Sequence, residues 1–316
     1  MRLAAAQPWA CAALVALVCA GGVEAKGKKA RAPGQARVRP EFDPKLPGHA
    51  KEFSRVRVLL EEPADLSEIA LAPDAIKVVV HLEGYALGPA QVLDEPAPFA
   101  LLLVDDEAAL RIDDATGPLL LRGVRPGPHL LRVVLSRPWG EVVKAPGALA
   151  LSRIWVGPRL AGPAGKAAEG AVWPDPKKPL LTCVFPLPAL SEGGPTLEAY
   201  PASVVAAEGE GTGATAEETR DAGSGLGAGA ASAPRSPQRP VLDFFLSGAT
   251  LRPRGRGDKL RLVVDKKELP LVREWKPVPL KVKAGSHRLT VDLLDRRGTK
   301  VRNAVNRTDR SFTLRE

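Results

Sequence analysis

Cysteine is scarce in this sequence. Of three cysteines, Cys11 and Cys19 lie in an N-terminal apolar run that we expect to be removed. The remaining one, Cys183, cannot form an internal disulfide, so no cross-link is expected to support the fold. A catalytic thiol needs a nearby base and an electropositive setting, whereas Cys183 lies in the apolar run LLTCVF. We therefore expect a small buried side chain and not a nucleophile.

Aromatic residues are also few, at 4% of the chain. Base stacking and sugar stacking both depend on aromatic platforms, so the shortage argues against nucleic acid as a partner. Trp139 and Trp275 are the two candidates for a carbohydrate platform, since each lies near a proline and a charged residue. We favour packing in a core or at its rim for both, and keep a carbohydrate-binding module as an alternative function.

Recognised catalytic and cofactor motifs are absent from the sequence. It has no zinc-ligand spacing, no Walker loop and no dinucleotide fingerprint, and no Ser or Cys nucleophile has a His/Asp pair at a known spacing. We expect no cofactor, no metal and no enzymatic activity. A hydrolase with an unrecognised site remains a second alternative, in which a cleft would bring His81, Asp105 or Glu141 together.

Two acidic pairs, Asp105-Asp106 and Asp113-Asp114, flank the short run AALRI. Carboxylates that converge on one loop face can hold Ca²⁺, but this spacing matches no known calcium loop. We interpret all four as solvated turn carboxylates.

Long apolar runs are confined to the N-terminus. Arg2 precedes the mostly apolar stretch 8–23, and Val23-Glu24-Ala25 fits the small-x-small rule for cleavage. The run is shorter than the roughly 20 apolar residues of a transmembrane helix. We expect residues 1–25 to be a signal peptide and the protein to reach the periplasm or cell surface. A lipid anchor at Cys19 is less favoured, because the preceding residue is not small.

Charge is distributed unevenly. Residues 189–234 contain 1 basic and 7 acidic residues, a net charge of −6, whereas 235–316 contain 21 and 9, a net charge of +12. Segments this different are not expected to form one evenly charged globule. We predict a disordered basic arm at 26–51, a Pro/Gly-rich connector at 160–188, and a disordered Ala/Gly/Glu linker at 189–239.

Short apolar runs of strand length fill the remaining regions, 52–159 and 240–316. Examples are IKVVVHL, FALLLV and HLLRVVL in the first, and VLDFFL, KLRLVVD and HRLTVDLLD in the second. Turn residues separate the runs, and no stretch has a long 3.6-residue period. The pattern predicts an all-β protein, with two tandem immunoglobulin-like β-sandwiches joined by a long flexible linker.

The two regions read as copies of one module. Residues 118–143 match 278–301, and upstream the segments 76–87 and 260–271 match in the same order. Further upstream, SRVRVLL matches RPVLDFFL. Ordered correspondence of this kind indicates an internal repeat.

The repeat places two histidines at equivalent positions. His129 and His287 each follow a glycine, Gly127 or Gly285, by two residues and open an alternating strand. Glycine permits a positive φ in such a turn. A structural role recurs when a module recurs, whereas catalysis usually needs an asymmetric set of partners. We interpret both histidines as corner residues whose rings bind turn carbonyls.

Several elements resemble an uncharacterised family of exported bacterial proteins, known mainly from cyanobacteria. Its RPWxExxKxxGA element stands here at 137–148, its PLLT segment at 179–182, and its LDFxL and WxPxxL elements at 242–246 and 275–280. A further LLDxxG element is followed here by Asn303. The chain departs from the family by its long linker and by lacking a serine after the glutamate of the first element. The resemblance implies architecture and export, and no activity.

A basic stretch, RPRGRGDKLR, lies in the second region and provides candidate binding residues. They are Arg252, Arg254, Arg256 and Lys259. A basic face can hold an anionic polymer or lipid surface, whereas we take the RGD triplet to be a chance match. We predict an exported, non-catalytic binding or scaffolding protein of the bacterial cell envelope. Its partner would be an anionic envelope polymer, a lipid surface or another envelope protein.

Overall fold

The protein is an all-β sandwich protein. The computed structural model describes residues 53–70, 75–88, 97–138, 140–188, 194–200, 241–254 and 256–314. Among these residues there is one α-helix, α1 (Gly162–Val172). Over the described ranges, no helix has both the length and the hydropathy of a membrane span. The expected signal peptide, Cys19 and the basic arm lie outside the described residues.

The first sandwich, module 1, packs a four-stranded sheet against a five-stranded sheet. The four-stranded sheet contains, in spatial order, β1 (Arg57–Glu62), β3 (Ala75–Glu83), β6 (Leu119–Arg122) and β10 (Thr196–Ala199). The five-stranded sheet contains β2 (Ser67–Ile69), β8 (Leu149–Val156), β7 (Gly127–Ser136), β4 (Phe99–Val104) and β5 (Ala108–Ile112). All pairings are antiparallel except β2 with β8. The strands are divided between the sheets as in an immunoglobulin-like sandwich.

The second sandwich, module 2, repeats this division with fewer strands. One sheet contains β14 (Val278–Pro279), β11 (Val241–Ser247) and β9 (Leu180–Phe185). The other contains β13 (Lys267–Glu268), β12 (Lys259–Val264), β15 (Gly285–Leu294) and β16 (Arg307–Leu314). Strand β9 corresponds to β1 of module 1, and each of these first strands ends at a cis X–Pro bond, Glu62–Pro63 or Phe185–Pro186.

Module 2 begins earlier in the chain than the sequence pattern indicated. The expected connector 160–188 contains α1 and also β9, which pairs with β11. The expected linker 189–239 contains β10, whose Leu197 is buried opposite Leu121 on β6. The chain therefore starts module 2, returns to complete module 1, and re-enters module 2 at β11. The residues from 201 to 240 lie outside the described ranges.

The order in which the strands enter the two modules also shows that the upstream part of the predicted repeat was misaligned. The match between 118–143 and 278–301 holds, since β7 and β15 occupy equivalent places. The match between 76–87 and 260–271 is wrong, because β3 corresponds to β11 and β4 to β12. The first strand of module 2 lies in the segment assigned to the connector, so each upstream match was displaced by one strand.

Strands β9 and β11 contribute to the cores of both modules. Every residue of β9 is buried, as are six of the seven residues of β11. Cys183 and Phe244 pack in the core of module 2, whereas Val184, Phe185 and Phe245 pack in that of module 1. Burial of both faces explains why these strands read as continuous apolar runs. The sheet that contains them joins the two modules.

Candidate functional site

The histidine corner of module 1 joins the start of β7 to the turn between β4 and β5. His129 Nδ1 lies 2.7 Å from Asp105 Oδ2, and His129 Nε2 lies 2.7 Å from the backbone oxygen of Arg125. Asp105 Oδ1 also accepts a hydrogen bond of 2.8 Å from the backbone N–H of Leu130. Burial opposes the charged ring, but Asp105 and the Arg125 carbonyl raise the pKa of His129 above its ordinary value.

Module 2 contains the same corner. His287 Nδ1 lies 2.6 Å from Asp265 Oδ2, and His287 Nε2 lies 2.8 Å from the backbone oxygen of Lys283. Asp265 Oδ1 accepts a 2.9 Å hydrogen bond from the backbone N–H of Arg288. The hydrogen bonds that the protonated ring donates to the Asp265 carboxylate and the Lys283 carbonyl raise the pKa of His287.

The backbone of the two corners agrees as closely as the side chains. Gly127 and Gly285 have φ of 128° and 134°, and Asp105 and Asp265 have φ of 52° and 49°. These conformations are costly for most residues and are tolerated by glycine and, in the left-handed region, by aspartate. The structure therefore places the predicted turn residues in two equivalent corners. The aspartates were missed because only a correct alignment of β4 with β12 brings them together.

Neither corner has the geometry of a catalytic base. A general base needs a ring nitrogen within reach of the proton that it abstracts, but both nitrogens of each ring already face an oxygen. His81 is exposed on β3, and Asp105 is hydrogen-bonded within its corner. Glu141 Oε1 lies 3.9 Å from Lys144 Nζ. No hydrogen bond or ion pair joins any two of these three within the described residues. The hydrolase alternative gains no support from them.

Asp106, next to the corner aspartate, connects the two modules. Its Oδ1 lies 3.1 Å from Arg132 Nη2 on β7 and 3.5 Å from Arg310 Nη2 on β16. Its Oδ2 accepts a 3.0 Å hydrogen bond from Thr308 Oγ1, also on β16. The interpretation of Asp105 and Asp106 as solvated turn carboxylates is therefore wrong, because both hold buried partners.

The two buried arginines around Asp106 also cover the outer edge of β9. Arg310 donates to the backbone oxygens of Cys183, Val184 and Pro186, at 3.3, 3.2 and 2.6 Å. Within the described residues β9 pairs with β11 alone, so these arginine contacts satisfy carbonyls along its other edge. Arg132 donates to the side chain of a β9 threonine and to the backbone oxygen of Asp105.

A second buried ion pair crosses the same interface. Lys144 Nζ lies 2.7 Å from Asp243 Oδ1 on β11, and both side chains are almost completely buried. Asp243 also accepts backbone hydrogen bonds from Val142 and Phe244, at 2.7 and 2.9 Å. Burial raises the pKa of Asp243, and Lys144 acts in the opposite direction. The RPWxExxKxxGA and LDFxL elements of the sequence therefore meet in this pair.

Two asparagines between β15 and β16 attach this loop to the segment before β9 and to the start of β9 itself. Asn303 Oδ1 accepts a 2.7 Å hydrogen bond from the backbone N–H of Asp175, and its Nδ2 donates to the oxygen of the same residue at 3.2 Å. Asn306 Oδ1 accepts from the Leu181 N–H at 2.8 Å, and its Nδ2 donates to the Pro179 oxygen at 2.8 Å. The loop is thus fixed to the helix-containing connector.

The predicted basic residues lie together at one end of module 2. They are Arg252, Arg254 and Arg256 in the β11–β12 loop and Lys259 at the start of β12. The three arginines are exposed, and Lys259 Nζ donates to the backbone oxygen of Arg296 at 3.4 Å. The β11–β12 and β15–β16 loops therefore share this end.

The aspartate of the RGD triplet has a structural role in that loop. Asp258 Oδ2 accepts a 2.8 Å hydrogen bond from the backbone N–H of Thr250, and its own N–H donates to the Thr250 oxygen at 2.9 Å. The carboxylate therefore closes the loop at its base.

Of the two candidate tryptophans, Trp275 is used for packing. Its ring meets that of Phe245 edge-on at a centroid distance of 5.2 Å, and its Nε1 donates to the Phe244 oxygen at 3.0 Å. It is half-buried against the cores of both modules. This arrangement fits rim packing, as expected, and does not provide a flat platform for a sugar. Trp139 lies outside the described residues.

Cys183 is fully buried in the core of module 2. Burial raises the pKa of its thiol to about 11. The thiol is therefore protonated at neutral pH and is not positioned as a nucleophile.

The chain has only weak similarity to known proteins. No family model and no curated protein matches the sequence. Among solved structures, fibronectin(III)-like modules of Clostridium thermocellum CbhA are 11% identical, with a TM-score of 0.23, over 82% of this chain and 94% of that one. The Bacteroides ovatus glucan-utilisation protein SGBP-B, in complex with a mixed-linkage heptasaccharide, is 11% identical, with a TM-score of 0.20, over 81% of this chain and 70% of that one. At this level of similarity neither protein assigns a ligand or a role to the chain.

Proposed function

We propose that this protein is an exported, non-catalytic binding or scaffolding protein of the bacterial cell envelope, with an anionic envelope component as its partner. A group of exposed cations at one end of module 2 supports this function. Arg254, Arg256, Arg296 and Arg297 are exposed there, and none of them forms an ion pair with another described residue. A positive surface of this kind attracts anionic partners and raises the rate of encounter.

The joined modules support a scaffolding role. The sheet of β9 and β11 contributes side chains to both cores, and two buried ionic clusters cross the interface. Large apolar interfaces limit relative motion between domains. A rigid body would present the cations at a fixed distance and angle from any surface held by module 1.

Export is supported by the sequence at the N-terminus. Cleavage after Ala25 would give a mature protein that begins at Lys26, which Edman degradation or mass spectrometry of the secreted chain would detect. Detection of an acylated N-terminal Cys19 would instead establish the lipid-anchored form. A chain retained in the cytoplasm with residues 1–25 intact would contradict export.

The binding proposal is tested by co-sedimentation of the full chain with bacterial envelope fractions at low and high salt. We expect binding that weakens as salt rises, because screening shortens the reach of exposed charges. The variant Arg254→Gln/Arg256→Gln/Arg296→Gln/Arg297→Gln should sediment less than the wild-type protein. Sedimentation that is unaffected by both salt and these substitutions would contradict the proposal.

A further inference from the structure

A cleft has a volume of about 830 Å³. One wall is formed by α1 and the connector that follows it, and the other by the β15–β16 loop. Six basic residues line it: Arg153 on β8, Lys166 and Lys178 on the wall of α1 and the connector, and Lys300, Arg302 and Arg307 on the wall of β16 and its preceding loop. The cleft adjoins the basic end of module 2, because the β15–β16 loop contributes to both.

A buried carboxylate in the cleft is surrounded by an excess of positive charge. Asp292 is almost completely buried, and its oxygens lie 2.5 Å from Arg261 Nη2, 3.2 Å from Lys300 Nζ and 3.3 Å from Arg307 Nη1. Arg307 Nη2 also lies 3.7 Å from Asp309 Oδ2, so among the described residues Arg261 and Lys300 are the two cations here that contact Asp292 alone. Burial alone would raise the pKa of Asp292, but these contacts hold the pKa below its ordinary value. The Asp292 carboxylate is therefore negatively charged at neutral pH.

The other acidic residues of the cleft are also paired. Glu169 lies within hydrogen-bond distance of Arg159, and Asp175 Oδ2 lies 3.6 Å from Lys178 Nζ. By contrast, Lys166 and Arg302 are exposed on opposite walls, and neither has an ionic partner among the described residues. These two cations are available to a ligand that enters the cleft.

The walls of the cleft are joined to each other. Asn303 bonds both the N–H and the C=O of Asp175, which connects the β15–β16 loop directly to the connector. The spacing of the two walls is therefore set before a ligand binds. Preorganisation of this kind reduces the ordering cost of binding.

The lining distinguishes between classes of anionic polymer. A flat bilayer surface cannot reach cations on facing walls of a cleft. An extended peptide binds by pairing with a free strand edge or by filling apolar pockets, whereas helix and loop segments supply most of this lining. Neutral sugars depend on an open aromatic face, and Trp173 in this cleft is engaged by Trp155, Arg159 and the His129 carbonyl. A charged, hydroxyl-rich chain fits the lining best.

We propose that this cleft binds a segment of an acidic polysaccharide, with Lys166 and Arg302 contacting its carboxylate groups from opposite walls. This inference rests on the proposed binding function and names its ligand class and site. The basic loops beside the cleft would attract the polymer, and the cleft would hold it.

The experiment measures binding of oligogalacturonate, which carries a carboxylate on every sugar, to the full chain by isothermal titration calorimetry. The test variant is Lys166→Gln/Arg302→Gln. The matched control is Arg55→Gln/Lys281→Gln, which also removes two exposed cations but none from the cleft. Uncharged dextran, polyglutamate and phosphatidylglycerol vesicles are the comparison ligands. Because all four residues are exposed, both variants should keep the wild-type melting temperature.

We expect the wild-type protein and the control variant to bind oligogalacturonate alike, and the cleft variant to bind about fivefold more weakly. Equal affinities of the cleft variant and the control would overturn the site. Tighter binding of polyglutamate, vesicles or dextran than of oligogalacturonate would overturn the ligand class. The proposed envelope role is judged separately, by salt-dependent sedimentation with envelope fractions, and can stand when the cleft assignment fails.

Discussion

The two modules build the same histidine corner in different surroundings. In module 1, the side chains of His129 and Asp105 are 11% and 22% exposed, and Trp173 donates a hydrogen bond to the backbone oxygen of His129. In module 2, the side chain of His287 is 12% exposed, much like that of His129, whereas that of Asp265 is 48% exposed. The hydrogen bonds are identical in kind, so the repeated backbone produces the corner. Burial is added in module 1 by the connector and helix that pack beside it.

The copies differ where the interface forms. After the corner aspartate, module 1 has Asp106, which binds β16 of module 2, whereas module 2 has the exposed Lys266. Three residues after the corner histidine, module 1 has the buried Arg132 and module 2 has Thr290. The residues that the two copies share form the corner within each module. The charged residues that only one copy has, such as Asp106 and Arg132, form the contacts between the modules.

Breaking the buried pair between the modules should destabilise the protein most. Lys144→Met leaves Asp243 buried without its cation, which costs about 3–5 kcal/mol of unfolding free energy. Arg288→Met removes an exposed ion pair with Asp309 within module 2 and should change stability far less. Urea unfolding followed by circular dichroism measures both. Equal losses would show that the interface pair contributes no more than a surface pair.

The corners provide the next comparison. His129→Ala removes two partly buried hydrogen bonds and should cost about 1–3 kcal/mol, whereas His287→Ala should cost less because water reaches its partners. Both losses would appear in the same urea experiment, and neither variant should alter envelope binding. A loss of binding by the stable His129→Ala protein would contradict a purely structural corner.

Sequence patterns predicted those parts of the fold whose residues are close together in the chain. The two-residue spacing of Gly127 from His129, and of Gly285 from His287, identified both corners, because a turn and its following strand are adjacent in sequence. The place of β9 was not predictable in this way. Its apolar run looks the same whether a strand belongs to the preceding or the following module, and its partner β11 lies beyond the long linker.

The interface was equally inaccessible to sequence patterns. Lys144 and Asp243 are far apart in the chain, and each by itself resembles an ordinary surface charge. The β10 strand was missed because Leu197 is its single buried residue, which leaves no period to detect. The cleft depends on Asp175 and Asn303, which meet only after both modules have folded.

The glycines of the two corners should respond equally. Gly127→Ala and Gly285→Ala each force alanine into a backbone conformation that glycine tolerates, but the added Cβ would meet no atom within 4 Å at either position. Backbone strain alone predicts a loss of about 1–2 kcal/mol in each case. Thermal unfolding measures both losses of unfolding free energy. A clearly larger loss for Gly127→Ala would show that the buried surroundings of this turn add to the backbone strain.

The two histidines should also make the stability of the protein depend weakly on pH. The pKa of each corner histidine is raised above its ordinary 6.5 in the folded protein. Their contribution to stability is therefore complete below that pH and is lost as pH rises through the raised values. Unfolding free energies measured below pH 6.5 and at about pH 9 should differ less in His129→Gln/His287→Gln than in the wild-type protein. A steeper dependence in the variant would contradict the assigned direction.

The strand order joins both modules into one cooperative unit. Native-state hydrogen exchange of backbone amides in β4 of module 1 and β15 of module 2 measures whether the two modules open together. In the wild-type protein, both strands should open with the same free energy, and Lys144→Met should lower both by the same amount. Loss of protection in one strand while the other keeps its wild-type value would show that the modules unfold independently and would contradict the claim.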